Sequence, residues 1–316
     1  MNLFQKVYKK IMALNAIQSH YNKLSENERT QQEREELPLK NLFKFNNWVK
    51  TILISHHLHH DKTAVLDLCC GKGADLRKYN NYNNNVSYYM GIDNAQKSLE
   101  NAVQRCTSIN PSFPVQWVHA SASQKHLMDK LSREFTFHLV SCQFALHYMF
   151  DSKDTSDAFF ENVSARLLDG GKFIATFPDA RVISALIAKD DSKIIGKSPE
   201  WKMDFSDTKF NENDFNQGYY FTLQNAIDHC KEYMVPIDLL IETAQNHNLQ
   251  LIIHENFHEF FENHKQEQYN LIVKMKAADY IKDKNNNNIQ LKLSPIEWEI
   301  ASLYCVAVFQ KTHTKS

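Results

Sequence analysis

The 316-residue chain is predicted to be an α/β protein built on a doubly wound, mostly parallel sheet of seven strands. Short apolar runs alternate with stretches of helical periodicity through most of its length. The first apolar run, Ala64–Cys69, leads into a turn of small residues and then a helix start, as strands do in open α/β sheets. Strand-helix alternation of this kind implies a parallel sheet with helices on both faces.

The predicted strands are short runs rich in Val, Ile, Phe and Tyr, and the segments between them have a period near 3.6. In chain order, we expect strands at Ala64–Cys69, Val86–Asp93, Val115–His119, Phe137–Cys142, Lys172–Phe177, Leu249–Glu255 and Leu303–Lys311. The predicted helices are Ala74–Tyr79, Ala95–Thr107, Gln124–Leu131 and Thr155–Leu167, with further helical segments between the last two strands.

Other segments depart from this alternation. Residues 1–40 are predicted to be an N-terminal helical extension or mobile arm, because residues 23–36 are almost wholly charged or polar. Residues 190–235 are predicted to be an inserted lid, since Asp190–Tyr219 is polar and aromatic with little periodicity. The asparagine-rich tracts Asn80–Asn85 and Asn285–Asn288 are typical of surface loops. We expect one domain over residues 1–316.

Composition restricts the possible functions. The formal net charge of −1 excludes a uniformly basic nucleic-acid-binding surface but leaves room for a local basic groove. The six cysteines lack the paired spacing of zinc sites, and several lie in apolar runs, which favours a reducing compartment. Polar residues interrupt the first seventeen positions and no long apolar span follows, so we expect neither a signal peptide nor a membrane segment.

The turn after the first strand is a candidate nucleoside site. Asp67 lies in the strand, and Cys69-Cys70-Gly71-Lys72-Gly73 forms the small-residue turn whose backbone can approach a ligand closely. The dinucleotide pattern GxGxxG is absent. The second strand ends at Asp93, where a carboxylate can accept hydrogen bonds from both ribose hydroxyls. The pattern therefore indicates a mononucleoside-like cofactor.

The fourth strand leads into a run with an amide, an imidazole and a phenol, Gln143-Phe144-Ala145-Leu146-His147-Tyr148. Such groups suit the edge of a flat, hydrogen-bonding heterocycle. Taken alone, the run is equally consistent with a partly buried strand-to-helix junction.

Together, these motifs resemble class I S-adenosylmethionine-dependent methyltransferases and, more narrowly, the eukaryotic mRNA cap guanine-N7 methyltransferases. Residues 65–76, VLDLCCGKGADL, are similar to that family's VLDLGCGKGGDL, and Gly91-Ile92-Asp93 matches its second motif. The family's QFxxHY is present at 143–148, HYN at 20–22 and FNNW(I/V)K at 45–50. Further matches follow in order at 170–178, 232–235 and 303–304, so the resemblance runs from about residue 20 to 311.

The resemblance implies a role for each matching residue. Those expected to bind S-adenosylmethionine are Lys50, Asp67, Cys69, Gly71, Asp93, Ala122, Gln143 and Tyr148. Those expected to form the cap pocket are Asn46, Pro178, His147, Tyr148, Phe221, Glu232 and Tyr304. Because N7 of guanine already carries a lone pair, no general base is expected. His147, Tyr148 and Glu232 would act through alignment and electrostatics.

Several of these residues have ordinary structural alternatives. Glu232 and Tyr233 could equally form an ordinary exposed pair. Tyr304 and Phe221 are also consistent with aromatic residues of the core, and Asn46 with a residue that caps a helix. The chain also departs from the family at two positions. Cys69 replaces a glycine, so its Cβ is expected to crowd the cofactor, and Ala122 stands where the family has an aspartate near the adenine amino group.

Two other patterns are interpreted as structural. His56-His57-Leu58-His59-His60 has no matching cysteine or carboxylate cluster, so we predict histidines at the end of a helix and no metal. Vicinal Cys69 and Cys70 are predicted to be a buried strand-end pair without redox activity.

The sequence therefore predicts an RNA-binding enzyme of mRNA capping that methylates N7 of the cap guanosine (GpppN to m7GpppN). One alternative is a non-catalytic cap- or cofactor-binding partner in a capping complex, and another is a small-molecule methyltransferase of the same fold. Absence of the nucleotidyl-lysine motif KxDG implies a separate guanylyltransferase. The resemblance further implies RNA polymerase as a possible partner and a nuclear location, with a viral or cytoplasmic setting as the other possibilities.

Overall fold

The computed structural model describes residues 17–23, 25, 31–58, 62–82, 85–131, 135–189, 192–196, 198–208, 211, 214–282 and 287–313. The described residues form a main sheet of seven strands, in the spatial order β10-β13-β5-β4-β1-β2-β3. These strands are β1 (Thr63–Leu68), β2 (Val86–Asp93), β3 (Val115–His119), β4 (Phe137–Gln143), β5 (Leu167–Pro178), β10 (Leu249–Asn256) and β13 (Tyr304–Lys311). Only β13 runs antiparallel to its neighbours, which confirms the predicted doubly wound, mostly parallel sheet.

Apolar residues on both faces of the central strands explain why this sheet forms. Leu139 belongs to the hydrophobic cluster on one face, and its neighbour Val140 to the cluster on the other. Both side chains are fully buried. A central parallel strand needs apolar side chains in both directions, which is why these segments have continuous apolar runs.

Helices cover both faces of the sheet. Their bounds are α1 (Gln31–Glu35), α2 (Lys40–His57), α3 (Leu76–Asn81), α4 (Gln96–Ile109), α5 (Lys153–Ala165), α6 (Ala180–Ile187), α7 (Ile237–Gln245), α8 (Phe257–His264), α9 (Tyr269–Lys274) and α10 (Pro295–Ser302). Residues 17–23 are also helical. No helix in the described part of the chain has the length and apolar character needed to cross a membrane.

The prediction of a helix at Gln124–Leu131 is wrong for most of these residues. The structure has a single 3-10 turn there, Met128–Lys130. His126 has a φ of 56°, in the left-handed region, which ends any right-handed helix at that point. The side-chain amide of Asn162 also donates hydrogen bonds to the carbonyl oxygens of Ala122 and Gln124. These two carbonyls are therefore bonded to a residue outside the segment.

The predicted insertion contains regular structure that its composition concealed. It forms a second, antiparallel sheet of β6 (Ile194–Ile195), β7 (Trp201–Asp204), β8 (Gly218–Leu223) and β9 (Ile227–Tyr233). In β8, burial alternates strictly, with Tyr219, Phe221 and Leu223 facing inward. Counting tyrosine as polar hides this period of two, because Tyr219 is buried and Tyr220 is not.

A small hairpin of β11 (Ala278–Lys282) and β12 (Asn287–Leu291) precedes α10. The asparagine tract predicted as a loop falls partly in this hairpin, since Asn287 and Asn288 begin β12. Residues 285 and 286 of that tract lie outside the described residues. In the earlier tract, Asn80 and Asn81 complete α3, and residues 83 and 84 are not described.

Candidate active site

A cavity of about 190 Å³ opens at the carboxyl ends of β1, β2 and β4. Ligands of open α/β sheets bind at this edge. Predicted cofactor residues in its wall are Cys69, Gly71, Asp93, Gln143 and Tyr148. Tyr21 and Ile17, from the N-terminal helical segment, also line it.

Asp93 organises the turn at the base of the cavity. Its Oδ2 accepts a hydrogen bond of 2.8 Å from the backbone N–H of Gly71, and its Oδ1 accepts one of 2.8 Å from that of Ala95. Burial raises the pKa of Asp93 despite these bonds. Gly71 has a φ of 53°, and a Cβ built on it would meet no atom within 4 Å. The turn therefore presents open space and a fixed carboxylate, which fits the ribose end of a nucleoside cofactor.

Cys69 occupies a left-handed backbone position, with a φ of 58°, where a glycine would carry no strain. Its thiol contacts that of Cys142, and this hydrogen bond together with burial raises the pKa of Cys69 well above its usual range. Burial likewise raises the pKa of Cys70. Both thiols therefore stay protonated at neutral pH. The pair was predicted to be buried, but both cysteines are half-buried because the turn borders the cavity, which Cys69 lines.

Lys50 and Asp67, also predicted to bind the cofactor, do not line the cavity and make their contacts with other residues. Lys50 Nζ lies 2.8 Å from Asp75 Oδ1, and Lys78 Nζ lies 2.6 Å from the same oxygen. Asp67 instead accepts a 2.6 Å hydrogen bond from the hydroxyl of Tyr89. Burial, and secondarily the charge of Asp75, raises the pKa of Asp67 to about 7. Asp67 is therefore partly protonated near neutral pH.

Gln143 and Ala122 are the remaining predicted cofactor residues. Thr176 Oγ1 donates to Gln143 Oε1 at 3.2 Å, and Gln143 Nε2 donates to Ser141 Oγ at 3.2 Å, which fixes the amide. Ala122 is buried and belongs to the apolar core, whereas Ser121 and Ser123 line the cavity on either side of it. Serine hydroxyls therefore surround the position where the family has an aspartate.

Glu232 is the centre of the predicted guanine site. It is 1% exposed, and its Oε2 accepts a 2.9 Å hydrogen bond from the hydroxyl of Tyr219, which lies directly opposite on β8. Its Oε1 lies 3.5 Å from His147 Nε2. Neither ring nitrogen of His147 has a hydrogen-bond partner among the described residues, although the ring is buried. A buried carboxylate and an unsatisfied imidazole provide the acceptor and donor that a guanine edge requires.

An aromatic wall lies at the end of β13. Tyr304 pairs with Pro178 across the sheet, and its ring centroid lies 5.2 Å from that of Phe144. Asn46 Oδ1 is buried without a partner among the described residues, so this acceptor is free for a ligand. Phe221 is fully buried in the hydrophobic core, on the same face of β8 as Tyr219.

Three residues near the site were not singled out from the sequence as functional. Tyr21 belongs to the HYN motif, to which no role was assigned, yet its hydroxyl lies 2.9 Å from that of Tyr148. Tyr219 and Asp75 were missed because their roles depend on partners, Glu232 and Lys50, that are distant in sequence. The period of two in β8 could have indicated Tyr219 as an inward residue, but no sequence pattern indicates Asp75 as the partner of Lys50.

Comparison with known proteins gives a consistent result. A family model described as mRNA (guanine-N(7))-methyltransferase domain matches residues 6–312. The chain is 34% identical over 308 residues to mRNA cap guanine-N(7) methyltransferase 1 of Oryza sativa, covering 93% of this chain and 80% of the relative. It is 30% identical over 314 residues to the mRNA cap guanine-N(7) methyltransferase of Schizosaccharomyces pombe, covering 95% and 82%.

Among solved structures, an S-adenosylmethionine-dependent methyltransferase from Clostridium acetobutylicum matches with a TM-score of 0.50 at 14% identity. The match covers 89% of this chain and 94% of that chain, and shows the shared fold.

Proposed function

Because the chain belongs to the mRNA (guanine-N(7))-methyltransferase family, we propose that it methylates N7 of the cap guanosine through a guanine site centred on Glu232. The observation that carries this proposal is the buried Glu232 carboxylate, held by Tyr219 and facing His147. A carboxylate accepts hydrogen bonds from both N1–H and the N2 amino group of guanine and discriminates against adenine. The predicted cap residues Asn46, Tyr148, Pro178 and Tyr304 would orient the base, and Phe221 would support Tyr219 from the core.

S-adenosylmethionine, the methyl donor of this family, supplies an electrophilic methyl carbon on a sulfonium. We assign Asp93 to the ribose hydroxyls, and Gln143, with Ser121 and Ser123, to the adenine side. Lys50 and Asp67 would hold the methionine end, with Lys50 acting while paired to Asp75. Cys69 and Ala122 would contact the cofactor chiefly through their backbones.

No proton has to leave N7, so these residues need only align the nucleophile and stabilise charge. Positive charge passes to the guanine as the methyl group moves. The carboxylate of Glu232 would stabilise that charge, and its low exposure strengthens the interaction. His147 would keep the base in register by donating to an acceptor on its edge.

The insertion sheet would act as the cap-side wall of the site. Tyr219 and Glu232 both lie on it, whereas Asp67, Asp93 and Gln143 lie on strands of the main sheet. This arrangement supports the predicted role of residues 190–235 in the cap pocket. It also separates Glu232 from these three cofactor residues, so that a change at Glu232 should leave cofactor binding nearly intact.

The test is transfer of a methyl label from S-adenosylmethionine to GpppA-capped RNA, followed by digestion and identification of the labelled cap. We expect label at guanine N7, and none when the RNA already carries m7GpppA. Glu232→Ala should abolish transfer while leaving cofactor affinity, measured by calorimetry, within about twofold. An active Glu232→Ala variant would contradict the guanine assignment. Cofactor binding without transfer by the unmodified protein would favour the non-catalytic partner.

In the cell, the substrate would be the capped 5′ end of nascent mRNA. A separate guanylyltransferase is the proposed supplier of that end. RNA polymerase is the proposed scaffold, and the nucleus the proposed location. Co-purification from nuclear extract of an epitope-labelled protein tests these partners, and recovery from cytoplasm alone would contradict the nuclear assignment.

A further inference from the structure

A cluster of possible metal ligands lies outside the cofactor cavity. His56 is near the end of α2, His264 ends α8, and Glu267 follows in the next turn. One ligand atom from each lies within 4.8 Å of the other two. The ring centroids of the two histidines are 5.3 Å apart. The histidine run that begins at His56 has no further metal-ligating cluster near it in the sequence. The fold brings His264 and Glu267 to His56 from more than two hundred positions away.

The chemistry of this set suits a transition metal. Two imidazoles and one carboxylate are common ligands of zinc, whereas magnesium and calcium prefer oxygen alone. Tetrahedral zinc places its ligand atoms about 3.4 Å apart, given bond lengths near 2.1 Å. The ligand atoms already lie within 4.8 Å of one another. His56 and Glu267 are exposed and His264 is half-buried, so small side-chain rotations can bring these atoms to that separation.

A neighbouring amide also fits a metal site at this cluster. Gln268 Nε2 lies 3.5 Å from His56 Nε2, so the amide is placed to orient that ring.

We propose that His56, His264 and Glu267 bind a divalent transition-metal ion, with zinc as the best fit, and that the ion fastens the end of α2 to α8. Helix α2 carries Asn46 and Lys50, and α8 contributes Phe257 to the wall around Tyr304. The site is structural, because none of its ligands lines the cofactor cavity. It differs from the sequence prediction of no metal, which considered only partners close in sequence.

The experiment uses untagged, chelator-treated protein titrated with Zn²⁺ against a chromophoric chelator, and with Co²⁺ followed by its visible d–d absorption. We expect one ion per chain. His264→Ala should weaken binding by at least about tenfold, and Glu267→Gln by several-fold. The control His313→Ala changes another exposed histidine that has a single carboxylate partner, Asp169, and should leave binding unchanged. Zinc should raise the melting temperature of the unmodified protein but not of His264→Ala.

Two results would overturn the proposal. One is undetectable binding by the unmodified protein at micromolar zinc. The other is binding that responds to His56→Ala but not to His264→Ala or Glu267→Gln, since that pattern indicates chelation by the histidine run alone. Glu267 is exposed, so Glu267→Gln keeps the test interpretable if His264→Ala unfolds. Methyl transfer measured with and without chelator should be equal, which separates this site from the proposed function.

Discussion

At the level of single residues, the geometry of Glu232 depends on Tyr219. The Tyr219 hydroxyl makes the one hydrogen bond to the Glu232 side chain that we find among the described residues. We predict that Tyr219→Phe lowers kcat/KM for capped RNA by about 10- to 150-fold, because a hydrogen bond to a charged group contributes about 1.5–3 kcal/mol. Cofactor affinity should not change.

The matched control for Tyr219→Phe is Tyr220→Phe. Tyr220 is the next residue on β8, points to the other face and stacks on His229, with ring centroids 4.4 Å apart. Steady-state kinetics with capped RNA should show no more than about a twofold change for this variant. Equal losses in both variants would indicate damage to β8 and refute a specific positioning role for Tyr219.

Asp67 gives the protein a predictable pH dependence. Its folded-state pKa of about 7 lies above the value near 4 expected in the unfolded chain. The folded state therefore holds this proton more tightly, so the contribution favours folding at low pH and is lost as pH rises through about 7. We predict that the free energy of unfolding falls between pH 5 and about 8 less steeply in Asp67→Asn than in the unmodified protein.

Chemical denaturation across this pH range measures the effect. Burial also raises the pKa of Asp93, so Asp67→Asn should keep a smaller slope of the same sign. If the two proteins have parallel pH profiles, Asp67 is already ionised in the folded state.

The residues of the candidate site were predictable where one short segment carries the information. Gly71 and Asp93 lie in motifs at strand ends, and a parallel sheet brings those ends together, as the 2.8 Å contact between them shows. Tyr219 was not predicted, because its role arises from strand pairing with Glu232 inside the insertion. Lys50 was assigned to the cofactor, but its ion pair with Asp75 depends on how α2 packs beside the turn.

At the level of elements, α2 has an unusual N-terminal cap. The N-cap residue Leu39 has no side-chain oxygen, so the first N–H groups of the helix need another acceptor. Glu297 supplies it from α10: its Oε1 accepts from the N–H groups of Asn41 and Leu42 at 3.0 and 3.1 Å. Its Oε2 accepts from the N–H of Ser294, which completes a capping box. One buried carboxylate therefore caps two helices.

We predict that Glu297→Ala lowers the free energy of unfolding by about 2–4 kcal/mol, since it leaves buried donors unsatisfied at two helix N-termini. Urea denaturation measures the change. Glu299→Ala, an exposed acid on the same helix, is the control and should alter stability by less than about 0.5 kcal/mol. A comparable loss in both variants would mean that the effect belongs to α10 as a whole.

Elements of the main sheet were predictable because central parallel strands require continuous apolar runs, as in Phe137–Gln143. The strands of the insertion were harder to predict from the sequence, since they are antiparallel and partly exposed. Their inward positions are filled by Tyr219 and Trp201, which hydropathy treats as ambiguous. The prediction of a helix at Gln124–Leu131 was wrong because His126 has a left-handed backbone conformation. The periodicity of apolar residues does not indicate such a conformation.

At the level of the whole molecule, the cofactor cavity is assembled from parts that are far apart in sequence. Several polar contacts fasten the N-terminal helical segment across it. Gln18 Nε2 donates to the carbonyl of Asn94 at 2.6 Å, the Tyr21 hydroxyl lies 2.9 Å from that of Tyr148, and Ser25 Oγ lies 2.9 Å from Ser98 Oγ. The N–H of Lys97 also donates to Asn22 Oδ1, and Asn101 Nδ2 donates to the carbonyl of Ser25. These contacts hold only one short segment, so segment opening should cost far less than global unfolding.

We therefore predict that the cofactor product S-adenosylhomocysteine slows amide hydrogen exchange in residues 17–23 as well as in the turn at 71–75. Ligand binding on both sides of the cavity joins the segment to the sheet, so the equilibrium for local opening shifts by mass action. Mass spectrometry of peptic fragments measures the change. The hairpin Ala278–Lys282 and Asn287–Leu291 lines no part of the cavity and serves as the internal control.

Protection confined to 71–75 would mean that the N-terminal segment opens independently of the ligand. Tyr21→Phe distinguishes the mechanism further, because it removes the hydroxyl contact with Tyr148 but keeps the ring in the cavity wall. We expect this variant to exchange faster at 17–23 without ligand and to recover most of its protection with it. Since closure then depends on ligand contacts rather than on the hydroxyl pair, the segment would respond to cofactor occupancy before capped RNA arrives at Glu232.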